Sequence, residues 1–241
     1  MATKDASPVS ESLAIQENAD GISLPKGVHA AHSMTQHVSS LHGRFFLDIC
    51  AGVTRPLSSA CHAKGLNIFS FDILLDSSLD LLNDDAYEQL LRVCSSGQVA
   101  YAAGSPSCNQ YSRLKLRNDG GPKALRTPEH LDGVPGLSSA EVLKLQESYT
   151  MLSRVINCLR LVFLSGGHVH LEQPQNAMSW LEPVVQKFLK LISASCVCIA
   201  ACQYGMNVAK SWIFATSFSD LRSLASGCNH PVGTHTSTGC T

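Results

Sequence analysis

The sequence predicts an α/β fold in which a mostly parallel sheet carries helices on both of its faces. Six short apolar runs have the length and composition of strands. Segments with helical periodicity and capping residues separate most of these runs, and this alternation is typical of parallel sheets. The chain has 241 residues, of which 44% are hydrophobic and 15% are charged. This composition suits one globular domain with a substantial apolar core.

The predicted strands and helices follow one another from residue 44. Thr54 is the predicted N-cap of a first helix, which ends near Lys64 because Gly65 follows. Asn83 or Asp84 is predicted to cap the second helix. The predicted strands span residues 44–49, 67–72, 98–103, 168–172, 196–202 and 212–216.

Two more helices are predicted in the second half of the chain. Ser138 and Glu141 have the spacing of a capping box, in which each side chain bonds the other residue's backbone N–H group. The long helix that they open ends at the glycines of 166–167. The next helix is predicted over 178–192, with Pro183 tolerated in its first turn.

Composition divides the chain into three parts. Residues 1–43 are polar and rich in Ser and His, and we expect them to be disordered. Residues 44–217 contain the predicted strands and helices and form the expected folded domain. Residues 218–241 form a short tail that contains Cys and His. Within the folded domain, residues 113–137 form an unusually long connection, and connections of this length are usually functional or disordered.

Several classes of protein are disfavoured by composition. No apolar run reaches the roughly 20 residues that span a bilayer, and the N-terminus lacks the apolar core of a signal peptide. The ten cysteines have no regular disulfide spacing, so we expect reduced thiols in an intracellular protein, nuclear or cytoplasmic. The net charge of −1 provides no general attraction to nucleic acid, so a DNA-binding surface must arise from local clustering.

Four polar side chains stand at the ends of four predicted strands. Asp48, Asp72 and Glu172 lie at the ends of their strands, and Cys108 follows another strand after a turn rich in Gly, Ser and Pro. Ligands bind beyond the carboxyl ends of parallel strands, where these ends meet along one edge of the sheet. We therefore expect these four residues to line one cleft.

Cys108 has the setting of a nucleophile, although a free cysteine is more often a small buried hydrophobic residue. Nucleophilic thiols need exposure and nearby positive charge, which favours the thiolate. The loop after Cys108 supplies such charge and is also the candidate phosphate-binding surface. Its basic residues are Arg113, Lys115, Arg117, Lys123 and Arg126.

Four blocks, in this order, resemble the cytosine-C5 DNA methyltransferases, which use S-adenosylmethionine and have a Rossmann-like fold. Residues 46–52, Phe-Leu-Asp-Ile-Cys-Ala-Gly, resemble the family's D-L-F-x-G turn. Residues 104–112, Gly-Ser-Pro-Ser-Cys-Asn-Gln-Tyr-Ser, resemble its G-G-P-P-C-Q-x-F-S loop. Residues 171–174, Leu-Glu-Gln-Pro, resemble its E-N-V strand end, and residues 203–205, Gln-Tyr-Gly, resemble the start of its Y-G-V-P-Q-x-R-x-R block.

The resemblance implies methyl transfer to C5 of cytosine in DNA, with RNA not excluded. It implies that Cys108 adds to C6 of a base that has left the duplex, and that Glu172 hydrogen-bonds the base at N3 and its amino group. It also implies a cofactor turn formed by Asp48, Ala51 and Gly52. Asp72 is expected to accept from the ribose hydroxyls, with the alternative that it caps a turn.

The chain departs from the family pattern in its last part. Val208, Lys210 and Trp212 stand where the Gln and the two Arg of Q-x-R-x-R are expected, and about 25 residues remain after Thr216. We therefore expect a shortened or divergent member, of the kind that mobile elements carry. The alternative function is a catalytically degenerate domain that binds cofactor or a partner without turnover.

Two further patterns suggest a metal. Cys228, His230, His235 and Cys240 have the composition of a zinc site, with the alternative that they are unpaired residues of a polar tail. His170 and Glu172 form the H-x-E of zinc deaminases. That family also needs P-C-x-x-C afterwards, which the chain lacks, so the sequence disfavours a deaminase.

Overall fold

The computed structural model describes residues 34, 38, 41, 43–117, 119–231 and 234–235. Six strands form one sheet in the order β2-β1-β3-β4-β6-β5. The strands are β1 (Phe45–Ile49), β2 (Ile68–Phe71), β3 (Val99–Gly104), β4 (His168–Pro174), β5 (Ser195–Ala200) and β6 (Ser211–Thr216). Among the described residues, the α-helices with defined bounds are α1 (Pro56–Ala63), α2 (Asp84–Ser95), α3 (Ser139–Leu164) and α4 (Pro183–Leu191). The predicted α/β class is confirmed.

The sheet is mixed, although most of it is parallel as predicted. β2, β1, β3 and β4 run in the same direction, whereas β6 is antiparallel to both of its neighbours. Ten residues, 201–210, connect β5 to β6. A parallel crossover needs a dozen or more residues, so this short connection returns the chain antiparallel, between β4 and β5.

The main core lies between the sheet and the layer formed by α2, α3 and α4. Leu47 and Phe71 of the sheet share one buried cluster with Leu152 and Leu159 of α3. Helix α3 lies very close to the end of β3, since a Cβ on Gly104 would stand 2.6 Å from the Val155 Cγ1 atom. The end of β3 therefore packs directly against α3. The segment 105–112, which we call the Cys108 loop, begins at this point.

The opposite face of the sheet carries α1 and an aromatic layer. Neighbouring residues of a strand point to opposite faces, so Asp48 and Ser70 lie on the side opposite to Leu47 and Phe71. There the Ser58 side chain of α1 hydrogen-bonds both Asp48 and Ser70. Farther along this face, aromatic side chains of β1, β3, β4 and β6 contact one another. Helices therefore lie on both faces, as predicted.

Three of the predicted helix starts can be compared with the observed ones. Ser138 and Glu141 form the capping box, and Asn83 caps α2 by accepting from the Ala86 N–H group at 3.0 Å. The prediction of Thr54 as an N-cap is wrong. Arg55 occupies that position in a left-handed conformation, and Pro56 begins α1 because its fixed φ suits a first helical residue.

The helix predicted over 178–192 is divided in two. A 3-10 turn spans Met178–Leu181, and α4 begins only at Pro183. Glu182 between them is extended, with φ −63° and ψ 132°. The proline ring disfavours helical geometry in the residue that precedes it, so the helix cannot run through Glu182.

Most of the segment predicted to be disordered, residues 1–43, lies outside the described residues. Met34 and Val38 are described, and both are helical and buried within the main core. Among the described residues, none of the helices combines the length and apolar character needed to cross a membrane.

Candidate functional site

The carboxyl ends of β1, β2, β3 and β4 lie along one edge of the sheet, because these four strands are parallel. Asp48 is the fourth residue of β1, Asp72 directly follows β2, Cys108 follows β3 by four residues, and Glu172 lies in β4. The structure thus brings all four predicted residues to the same edge, where they fall into two pairs.

Asp48 belongs to the first pair and lies inside the fold. Its side chain is buried, and it accepts a hydrogen bond from Ser58 Oγ at 2.8 Å. Burial raises the pKa of Asp48, the Ser58 hydrogen bond opposes this rise, and repulsion by Asp72 adds to it. Asp48 therefore faces α1 and links this helix to β1 through Ser58.

Asp72 closes that same turn. One of its carboxylate oxygens accepts from the Gly52 N–H group at 2.9 Å, and the other accepts from the Leu74 N–H group at 2.8 Å. The alternative assigned to Asp72, a turn cap, is thus present in the structure. Gly52 has φ 68°, and no atom lies within 4 Å of the position of a Cβ there. The half-buried Ala51 precedes it, so the backbone of the turn is open on this side.

Glu172 belongs to the second pair, and its pKa is subject to opposing effects. Burial raises the pKa of the Glu172 carboxyl, while a side-chain hydrogen bond with Ser105 and the charge of Lys210 lower it. Ser105 directly follows β3, so this hydrogen bond joins the Cys108 loop to β4. A carboxyl group with a raised pKa beside a cation is typical of acid–base sites and is less common at structural positions.

A second bond fixes the same loop to β4. Gln173 donates from Nε2 to the Pro106 carbonyl oxygen at 2.6 Å, and its Oε1 accepts from Ser179 Oγ at 2.9 Å. All of these groups are buried. Gln173 directly follows Glu172 in β4, and Cys108 follows Pro106 by two residues. The bond between Gln173 and Pro106 therefore sets the position of Cys108 relative to Glu172.

Cys108 is half-buried and begins a 3-10 turn. Its carbonyl oxygen accepts from the Tyr111 N–H group at 2.8 Å. Lys115 lies near the thiol: burial and then repulsion by Lys144 lower the Lys115 pKa, and attraction to Cys108 opposes both effects. The structure therefore supplies the positive charge that a reactive thiolate needs.

A buried group that the sequence analysis missed anchors the Cys108 loop. Tyr111 Oη donates to Glu182 Oε1 at 3.0 Å, and Arg126 Nη1 pairs with the same oxygen at 3.2 Å. The Arg126 guanidinium also stands 3.9 Å from the centre of the Tyr111 ring. Burial is the main cause that raises the pKa of both Tyr111 and Glu182. We call these three residues the loop anchor.

The loop anchor corrects one predicted role. Arg126 was predicted to bind phosphate, but only 2% of the residue is exposed and its charge is used by Glu182. An arginine in this position cannot reach a nucleic-acid backbone. The sequence carried one weak signal for the loop anchor, because Glu182 directly precedes a proline that begins a helix. No local pattern could connect Glu182 with Arg126, which lies 56 residues away.

The other four predicted cations lie at or near the surface. Arg113 and Arg117 are exposed and, with Lys210, line a cavity of about 630 Å³ beside the end of β4. Lys115 is half-buried and donates to Gln110 Oε1 at 3.2 Å. Lys123 is exposed and pairs with Glu141 at 3.5 Å. A cation-lined cavity thus opens beside the end of β4.

The residues of the predicted H-x-E pattern do not form a metal site. His170 is buried and bonds the Tyr101 hydroxyl through Nδ1 at 2.8 Å, and burial lowers the His170 pKa to about 4. Within the described part of the chain, the Cys/His group that could hold a metal lies elsewhere. The geometry therefore gives the deaminase alternative no support.

A Cys/His cluster that could hold a metal ion does lie in the C-terminal part. Three of the predicted ligands, Cys228, His230 and His235, take part in it. The fourth member is Cys202, which the sequence analysis did not single out. Cys240, the predicted fourth ligand, lies outside the described residues.

No protein-family model matches this chain, and no curated protein sequence matches it. The resemblance to cytosine-C5 methyltransferases therefore rests on the four short sequence blocks. What the fold adds is geometric: three of these blocks lie at the carboxyl ends of β1, β3 and β4, along the same edge of the sheet.

Proposed function

We propose that the protein transfers a methyl group from S-adenosylmethionine to C5 of cytosine in DNA, through a covalent bond between Cys108 and C6 of the base. One observation carries the proposal. A half-buried thiol follows β3, and a half-buried carboxyl with a raised pKa lies in the adjacent parallel strand β4. Two hydrogen bonds fix the loop that carries the thiol to that strand. A cavity of about 630 Å³ that Arg113, Arg117 and Lys210 help to line opens beside the end of β4.

Cys108 is the nucleophile in this proposal. Its sulfur forms a bond with C6, and the electron pair of the C5–C6 double bond moves towards C5, which then attacks an electrophilic methyl group. After methyl transfer, a base removes the proton from C5, the C6–S bond breaks, and the thiolate is restored. The charge of Lys115 favours the thiolate at the start and at the end of this sequence.

Glu172 holds a proton where charge develops on the base. Because burial raises its pKa, the carboxyl can be protonated closer to neutral pH than an exposed glutamate. A protonated Glu172 donates to N3 of cytosine as the thiolate adds, and it takes the proton back as the adduct breaks down. Ser105 and Lys210, which favour the ionised form, keep both protonation states accessible.

The turn after β1 is the proposed cofactor site. S-adenosylmethionine supplies the electrophilic methyl group when it is bound. The residues fit in part: the space above Gly52 is open, so a ligand can approach the backbone of Ala51 and Gly52 closely. Asp72 already accepts two backbone N–H groups, but a carboxylate offers about four acceptor positions, so ribose hydroxyls can still donate to it.

Nucleic acid is the proposed substrate because of the cations around the cavity. Arg113 and Arg117 are exposed at its rim, and Lys115 and Lys123 lie in the same loop region. Such cations can hold phosphates while a base that has left the duplex reaches Cys108 and Glu172. These contacts involve phosphate only, so DNA and RNA are compared in the test.

A second candidate function is a domain that binds cofactor or a partner without turnover. Two observations favour it. Lys210 is the only basic residue among Val208, Lys210 and Trp212, where the resembled block has two arginines. In addition, Asp72 serves as a turn cap in the structure. Both reduce the groups available to hold a flipped base and a cofactor.

Covalent trapping distinguishes the two functions. The full chain is incubated with S-adenosylmethionine and an oligonucleotide that contains 5-fluorocytosine, with a matched RNA in parallel. Fluorine cannot leave C5 as a proton does, so the bond between Cys108 and C6 persists and is seen as a denaturation-resistant complex. We expect Cys108→Ser to abolish the complex and Glu172→Gln to slow its formation strongly.

Cys198→Ser is the matched control, since Cys198 is also a half-buried cysteine but lies in β5. It should trap as the parent does. A complex that survives Cys108→Ser contradicts the assignment of the nucleophile. Cofactor binding by calorimetry without a complex on any cytosine-containing DNA or RNA supports the non-catalytic candidate.

A further inference from the structure

We propose that Cys202, Cys228, His230 and His235 together bind one Zn²⁺ ion, which fastens the C-terminal segment to the turn after β5. The ligand atoms of these four residues all lie within 4.8 Å of one another. This site is separate from the candidate active site, and the proposal does not depend on methyl transfer. It also replaces the predicted fourth ligand, Cys240, by Cys202.

The distances suit a tetrahedral centre. Cys228 Sγ lies 3.8 Å from His230 Nδ1 and 3.2 Å from His235 Nε2. Zinc–sulfur bonds of about 2.3 Å and zinc–nitrogen bonds of about 2.0 Å place tetrahedral ligand atoms roughly 3.3–3.8 Å apart. The four side chains therefore need only small movements to bind an ion between them.

The backbone explains how Cys202 reaches residues far along the chain. Ser226 pairs with Ile199 of β5 in a parallel bridge. Its N–H group donates to the Cys198 carbonyl at 2.9 Å, and its carbonyl accepts from Ala200 at 3.2 Å. In a parallel pair, both chains advance together, so Cys228 comes level with the 3-10 turn that contains Cys202.

The imidazole of His235 has no competing bond that holds it away from an ion. Its Nδ1 atom is buried and has no hydrogen-bond partner among the described residues, while Nε2 faces Cys228. His230 stands beside it, with the two ring centres 4.7 Å apart. Two half-buried and two exposed ligands leave an open path for a metal to enter.

The donor set selects zinc and a structural role. Two thiolates and two imidazoles fill all four positions of a tetrahedral ion, which leaves no place for water or substrate. Carboxylates, which Mg²⁺ and Ca²⁺ prefer, are absent from the set. The ion would add to the existing links in the same region, which are the Ser226 bridge and the bond from Tyr204 Oη to the Leu224 carbonyl at 2.9 Å.

Metal analysis of matched variants tests the proposal. The full chain is purified under reducing conditions, supplied with Zn²⁺ and passed through a desalting column, and bound zinc is measured by mass spectrometry. We expect one zinc per chain for the parent and for Cys240→Ser. We expect a near-complete loss for Cys202→Ser and for His235→Ala, with circular dichroism unchanged.

Cobalt provides a second measurement on the unmodified chain. Binding of Co²⁺ at this site should produce the visible absorption of a tetrahedral ion with thiolate ligands, and Zn²⁺ should displace it. This measurement decides the matter if Cys202→Ser does not fold. Limited proteolysis should also show slower cleavage of 226–235 with zinc than after chelation.

Three results would overturn the proposal. The first is retention of zinc by Cys202→Ser together with its loss by Cys240→Ser, which would restore the ligand set expected from spacing. The second is absence of both zinc and cobalt uptake by the reduced parent. The third is a Cys202–Cys228 disulfide whose reduction creates no metal affinity. Fluorocytosine trapping does not bear on any of these outcomes, so the two proposals fail separately.

Discussion

The two halves of the strand-end edge use their acidic groups in different ways. At the ends of β1 and β2, Asp72 accepts two backbone N–H groups and Asp48 accepts from Ser58. At the ends of β3 and β4, Glu172 faces the positive charge of Lys210 beside a cavity, with Cys108 in the neighbouring loop. The first half holds a turn in place, whereas the second contains the thiol and the carboxyl that we propose to react.

The difference teaches which polar residues are candidates for chemistry. A carboxylate that accepts backbone N–H groups stabilises the fold at neutral pH, so its presence is explained by structure alone. A carboxyl whose pKa is raised by burial destabilises the fold when it ionises, and it needs another explanation. By this criterion, Glu172 is a stronger functional candidate than Asp72, and Asp48, whose pKa burial also raises, meets the criterion as well.

In the second half, the loop that carries Cys108 is also held by buried side chains. Tyr111 belongs to the 3-10 turn that follows Cys108, and it bonds Glu182, which also pairs with Arg126. All three residues of this loop anchor are almost fully buried. We expect the loop that carries Cys108 to keep its geometry only while both charges of this buried ion pair are present. The comparison can therefore be tested by removing each support in turn.

The largest effect is expected from Glu182→Ala. This change leaves the Arg126 charge buried without its partner, which typically costs about 3–5 kcal/mol of the free energy of unfolding. Urea unfolding followed by circular dichroism measures it. Glu88→Ala is the control, since Glu88 forms an exposed ion pair with Arg92 and should cost less than about 1 kcal/mol. Equal losses for the two variants would contradict the anchor.

A smaller loss is expected from Asp72→Ala in the first half. Two backbone N–H groups, those of Gly52 and Leu74, lose their acceptor, so stability should fall by about 1–3 kcal/mol. The same unfolding experiment measures it. Asp80→Ala is a graded control, because Asp80 accepts from one such group, Leu82 N–H, at 2.8 Å. A loss no larger than that of Asp80→Ala would argue against the turn-closing role.

Glu172→Gln should change stability in the opposite direction and with a dependence on pH. Burial raises the folded-state pKa of Glu172 above its ordinary value of 4.5. Below that value the carboxyl is protonated in both states, whereas its ionisation at higher pH is harder in the fold than in the unfolded chain. The variant should therefore match the parent in acid and exceed it in stability at neutral pH. Unfolding at several pH values checks this, and a variant that is less stable at neutral pH contradicts it.

The smallest effect on stability is expected from Arg113→Ala and Arg117→Ala, within about 0.5 kcal/mol, because both side chains are exposed. Their effect should appear in nucleic-acid binding. Each change should lower affinity and reduce the slope of log K against log salt by about one. Fluorescence anisotropy at several salt concentrations measures the slope. Arg160→Ala, an exposed arginine of α3, should leave it unchanged.

Local patterns in the sequence were sufficient for much of the fold. Each strand follows from a short apolar run. The Asn83 cap and the capping box of Ser138 and Glu141 depend on residues that are three positions apart. The place of Asp48, Asp72, Cys108 and Glu172 at one edge follows from their position at the ends of parallel strands. Such features need only the order of residues along the chain.

Contacts between distant residues were decided only by the tertiary structure. Arg126 follows a run of basic residues and has no local feature that separates it from them, but Glu182, 56 residues away, draws it into the core. Cys202 joins Cys228 only because the segment around Ser226 pairs with β5. The sequence by itself determined which chemical groups the chain can offer. Packing of distant segments decided which of them are buried, paired or open to a ligand, because burial and charge pairing depend on neighbours in space.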